Sequence, residues 1–160
     1  MDRFQWSPIN SLAYFDIDSN FYYQGWILPE VYEKGMVSLL SQGKMEKAKD
    51  IALKAYDLQP KEISSMRHSY TNATVVDTLY KVKEVQKAST FGTKNLKAIE
   101  QQLDQQLAIS VITNHGLDLG QMQLGLAALE RYSQIFAAVG DQTLLAKAKA
   151  LEHKYNQAWL

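Results

Sequence analysis

The 160-residue chain has no cysteine, and that one absence removes several chemistries together. Disulfide frameworks, zinc ribbons, thiol nucleophiles and iron–sulfur ligation all need the missing thiol. Compartment stays open, because a thiol-free chain suits reducing and oxidising surroundings alike. Proline is scarce as well: three residues, at 8, 29 and 60, leave long stretches free for helix. An excess of basic charge is also missing, with 17 Lys and Arg against 17 Asp and Glu. Phosphate contacts dominate nucleic-acid affinity, so this balance argues against a nucleic-acid partner. No apolar run reaches the ~18 residues needed to cross a bilayer, so this segment is not expected to insert into a membrane. The stretch from Met1 to Ser7 has no apolar core of the signal-peptide kind. The chain is therefore read either as cytoplasmic or as a piece of a longer protein whose targeting elements lie elsewhere.

What is present has the balance of a globular domain: 46% hydrophobic, 21% charged and 11% aromatic. A chain of this size buries roughly 70% of its unfolded surface, enough for a core without cross-links or metal. Residues 1–28 stand apart. Phe4, Trp6, Tyr14, Phe15, Phe21, Tyr22, Tyr23 and Trp26 crowd into them with no helical period. Rings at that density are costly to leave in water, so the segment reads as an irregular arm packed on the body.

From Pro29 the pattern turns helical. Proline suits a first helical position, Glu30 and Glu33 suit the positive helix end, and Val31, Met36, Leu39 and Leu40 make a stripe. Gly43 is a stop, and a second helix runs from about 44 to 58 with Ala48, Ile51, Ala52, Ala55 and Tyr56 on one face. Pro60 ends it. Residues 61–70 read as a polar loop. A third helix is predicted over about 72–87 on Val75, Val76, Leu79, Val82 and Val85. Phe91-Gly92-Thr93 reads as a break, followed by a fourth helix over about 94–112 carrying Ile99, Leu103, Leu107 and Val111. Asn114-His115-Gly116 stops that helix, and Asp118 with Gln121 fits a capping box. The fifth helix carries Leu119, Met122, Leu126, Leu129, Tyr132 and Phe136 as far as Gly140. Asp141 caps a sixth, with Leu144, Leu145, Ala148, Leu151 and Tyr155.

Three helix pairs of similar size invite a test for repeats. Tyr32, Gly43, Ala48, Ala55 and Pro60 fall where a tetratricopeptide hairpin places an early aromatic, a turn glycine, small packing residues and a closing proline. Met36 and Ala52 depart from that pattern. Weaker echoes run from Gly92 to Ala98 and from Gly140 to Ala146, each at a spacing of six rather than five. The fold expected is all-α: about six helices in antiparallel hairpins, stacked in a tetratricopeptide-like right-handed array over 29–160, behind the aromatic arm of 1–28.

A wider pattern joins the two parts. It runs through Arg3-Phe4-Gln5-Trp6, Tyr14-Phe15-Asp16 and Asn20-Phe21. It then continues from Leu39-Leu40-Ser41-Gln42-Gly43-Lys44-Met45-Glu46-Lys47-Ala48 to Leu58-Gln59-Pro60. Over residues 3–60 the chain resembles the C-terminal soluble region of large multi-pass membrane proteins of anaerobic Gram-negative bacteria. Their membrane domain is similar to the protein O-mannosyltransferase-like glycosyltransferases. The resemblance implies an appended domain on the periplasmic face of the inner membrane that binds a partner or substrate protein. Sugar-transfer chemistry would belong to the membrane portion, and no catalytic residue carries over. The alternative is a free-standing, cytoplasmic or otherwise, helical protein that binds peptide or glycan.

No enzyme motif emerges from the residues. Asp16-Ile17-Asp18-Ser19-Asn20 starts like a calcium loop, but Phe21 and Ile27 stand where glycine and glutamate are needed. His68, His115 and His153 lack metal-ligand spacing. There is no phosphate loop and no nucleophile elbow. Glu30, Glu33, Glu100 and Asp104 are read as solvated helix-surface acids. Lys81, Lys83, Lys87, Lys94 and Lys97 form a basic cluster read as a solvated face, offset by Glu84. Asn72-Ala73-Thr74 is a formal glycosylation acceptor. The best site candidate is an aromatic groove of Tyr22, Tyr23, Trp26 and Tyr32, rings suited to a protein, peptide or glycan partner. No cofactor or metal is expected.

Overall fold

The computed structural model describes residues 28–63, 65–113 and 119–159, with side chains at 33–63, 65–110 and 119–158. Within these residues the chain is all-helical: α1 Leu28–Ser41, α2 Met45–Asp57, α3 Met66–Lys81, α4 Val85–Thr113, α5 Leu119–Val139 and α6 Gln142–Trp159. Helices α1 and α2 form one antiparallel hairpin and α5 and α6 another, an arrangement consistent with a tetratricopeptide-like array. The described helices belong to two compact units, one of residues up to 61 with 74–88 and one of 62–73 with 89–160.

Among the described residues the chain reverses by the same device three times. After α1, the Lys44 N–H donates to the Leu39 carbonyl at 2.9 Å and the Gly43 N–H to the Leu40 carbonyl at 3.0 Å. After α3, Glu84 donates to Leu79 at 2.8 Å and Lys83 to Tyr80 at 3.1 Å. After α5, Asp141 donates to Phe136 at 3.0 Å and Gly140 to Ala137 at 3.3 Å. Each is a Schellman closure, which satisfies two orphan carbonyls of the ending helix and needs one residue in the left-handed region. Gly43 sits at φ 72°, Lys83 at 68° and Gly140 at 78°. Glycine adopts that conformation without steric cost, and lysine does not. Lys83→Gly is therefore expected to raise stability by about 1 kcal/mol, read as a higher urea midpoint at unchanged slope. An unchanged or lower midpoint would count against the assigned turn.

This turn corrects the middle of the sequence reading. The third helix runs over Met66–Lys81 instead of about 72–87. Phe91-Gly92-Thr93 is no break but lies inside the 29-residue helix Val85–Thr113. Gly92 is a packing residue: a Cβ there would stand 2.9 Å from Phe136 Cζ. The second hairpin turn lies instead at Val82-Lys83-Glu84, so the repeat spacing is recovered. Lys83 precedes Ala88 by five residues, as Gly43 precedes Ala48, and both alanines are fully buried. Asp141 caps α6 as expected, its carboxylate accepting from the Leu144 N–H at 3.0 Å. Asp118 and His115, assigned to a capping box and a helix stop, lie outside the described residues.

The first unit packs on small side chains. Ala48, Ala52 and Ala55 of α2 are fully buried, with Met36 and Leu39 of α1 and Val76 and Leu79 of α3 in the same core. The second unit packs on rings. Phe91, Ile99 and Leu103 of α4, Met122, Leu129, Tyr132 and Phe136 of α5, and Ala148 and Tyr155 of α6 are all fully buried. Leu119, expected on the apolar face of α5, is 53% exposed instead, at the first turn of the helix.

Helix α3 starts at Met66, inside the stretch read as loop, and it buries a run of polar residues. Residues 71–76 are buried without interruption, yet three of them are Thr71, Asn72 and Thr74. Burial of such groups requires partners. The Asn72 amide donates to Asn95 Oδ1 at 3.1 Å, and the Asn95 amide donates to the Phe91 carbonyl at 2.8 Å. Thr74 donates to Glu33 at 2.9 Å, and Thr78 donates back to the Thr74 carbonyl at 2.7 Å. Polarity that reads as solvent-facing in the sequence is here internal wiring.

Candidate functional site

Of the aromatic groove, Tyr22, Tyr23 and Trp26 lie outside the described residues, and Tyr32 is placed only as backbone of α1. Asp16, Asp18 and the Glu30 side chain fall outside them too. The site must therefore be sought in the helical body.

The second unit has an open groove of about 470 Å³ between α5 and α6. Two stripes line it: Gln123, Leu126, Ala127 and Glu130 from α5, and Lys149, Glu152 and Asn156 from α6. Helical geometry puts residues three, four and seven apart on one face, so each stripe follows from its spacing. Ser133, itself buried, donates to Glu152, and Lys149 lies 3.4 Å from the other Glu152 oxygen. The walls are thus two carboxylates, one ammonium and two amides over a short apolar floor. They suit hydrogen bonding to a polar chain.

A second polar cluster ties α4 to α6. The Tyr155 hydroxyl lies 2.6 Å from Asp104 Oδ1 and 3.0 Å from the Glu100 carbonyl. Lys154 stands 3.3 Å from Asp104 and 3.7 Å from the Glu100 carboxylate. Glu100 and Asp104, one turn apart and read as solvated, thus meet a lysine and a phenol of their own unit while their side chains stay 41% and 50% exposed. Glu33 is elsewhere, bonded to Thr74. Burial of the ring, the hydrogen bond to Asp104 and the charges of Asp104 and Glu100 all push the phenol pKa well above its ordinary value. These contacts make Tyr155 an anchor between α4 and α6, and its phenol stays protonated near neutrality.

The sign of its pH dependence follows. Below about pH 10 a tyrosine is protonated in the unfolded chain too, so the full contribution is present. Above that, the unfolded chain releases a proton that folded Tyr155 keeps, and stability falls as pH rises. Tyr155→Phe is expected to cost about 1 kcal/mol at neutral pH and to flatten the fall in urea midpoint between about pH 10 and 11. A parallel fall in both proteins would refute the anchor.

The remaining candidates resolve one by one. In the first unit Lys81 is paired with Asp77 at 2.9 Å, and Lys87 lies over the Tyr56 ring at 5.7 Å. Glu84 meets Lys49 at 3.6 Å, and Lys83 forms a turn. In the second, Lys94 is half-buried, and desolvation lowers its pKa, while Lys97 is exposed. Lys81, Lys83 and Lys97 are thus exposed, as a solvated face requires, and Lys87 and Lys94 are half-buried. His68 is half-buried on α3, its pKa lowered by desolvation and by neighbouring Arg67; His153 is exposed on α6. No cluster of three or more His, Asp or Glu placed to hold a metal occurs among the described residues. No described helix is long and apolar enough to cross a membrane. Asn72 is 1% exposed and its amide is engaged, so the formal acceptor triplet is closed to glycosylation in the folded chain.

No protein-family model, curated protein or solved structure matches the chain. The groove of α5 and α6 was not visible in the sequence as a site. Its residues are ordinary surface types, and only the pairing of two particular stripes brings them together.

Proposed function

We propose that this chain is a non-catalytic protein-interaction or scaffold domain, the soluble tail of a membrane glycosyltransferase-like protein, held at the periplasmic face of the inner membrane. The observation that supports it best is the reuse of one hairpin turn at Gly43, Lys83 and Gly140. Hairpins reversed alike can stack alike, and arrays of such hairpins generally present extended surfaces to other proteins. The arginine, aromatic and hairpin elements of residues 3–60 support the membrane-bound parent. The chemistry of sugar transfer, on this reading, belongs to the parent's membrane portion, and the domain recruits a partner or substrate protein.

Two measurements test the two halves of the reading. The coding sequence upstream of Met1 is expected to continue in frame through many apolar spans. A stop codon followed by a ribosome-binding site there would reject the parent and favour a free-standing peptide- or glycan-binding protein. For the interaction role, a photo-reactive residue is placed in turn at exposed Lys34, Gln86, Gln123 and Asn156 in cells. Discrete protein adducts are expected from a subset of these positions. Uniformly absent adducts would reject the interaction role whatever the parent.

A further inference from the structure

We draw no further inference here: the strongest candidate, the open polar groove between α5 and α6 lined by Gln123, Glu130, Lys149 and Asn156, carries nothing because no feature of the structure shows what occupies it.

Discussion

Phe136→Ala is expected to cost 3–5 kcal/mol, roughly the whole range seen for deleting a buried aromatic ring. Phe136 is fully buried on α5 and stacks on Tyr132 with ring centroids 6.0 Å apart. Its edge fills the space that Gly92 leaves open on α4, 2.9 Å from where a Cβ would stand. Truncation removes the transfer energy of the ring and leaves a cavity, because Tyr132 is pinned by its own hydrogen bond to the Ser69 carbonyl. Thermal unfolding should drop by roughly 10 °C. The geometry also sets a sign. In the parent chain Gly92→Ala should destabilise, since an aromatic edge cannot bend away and helix propensity returns only about 1 kcal/mol. In the Phe136→Ala background the clash is gone, and the same change should stabilise by about that amount. A Gly92→Ala effect of the same sign in both backgrounds would show that the two residues do not touch.

Gly125→Val should be nearly as damaging, at about 2–3 kcal/mol. Gly125 lies in the middle of α5, where glycine is otherwise a poor choice for a helix. A Cβ there would stand 2.7 Å from Leu103 Cδ2 and 3.1 Å from both Cδ1 and Cγ. Leu103 is fully buried, so the whole branched end would have to shift within a filled core. Gly125→Ala gains about 1 kcal/mol of helix propensity and still meets the first contact, so a smaller loss is expected. Combining Gly125→Val with Leu103→Ala should cost less than the two single changes summed, because the smaller residue vacates the space. Urea denaturation of the four proteins decides it, and strict additivity would sink the proposed contact.

Glycines at turns and a glycine inside a helix mark where the sequence was readable and where it was not. The first and last hairpins were legible because Gly43 and Gly140 stand at turns and Asp141 at a cap. Gly92 carries the same letter for another reason, close packing against a ring, and so reads as a break inside a continuous helix. The true turn was hidden because Lys83, a residue with a side chain, holds the left-handed position. The start of α3 was hidden because Arg67, His68 and Ser69 give residues 66–70 a polar look, although Met66 and Ser69 are buried. Of the predicted stripes, Val75, Val76, Leu79, Ile99 and Leu103 do lie in the core, whereas Val82 is half-buried in the turn and Val85, at the start of α4, is 50% exposed. The candidate groove fared worst, since solvated amides and acids carry no periodic signal of their own.

The lysine turn has a consequence for recognising such hairpins. A reversal held by two main-chain bonds requires a conformation, and the identity of the residue adopting it is negotiable at about 1 kcal/mol. Position 83 shows that the bend forms without the signature letter. Searching such chains for their periodic glycines will therefore undercount the units. In this chain the five-residue step into a buried alanine marks two of the three described bends, Gly43 to Ala48 and Lys83 to Ala88, while the step from Gly140 leads to half-buried Leu145.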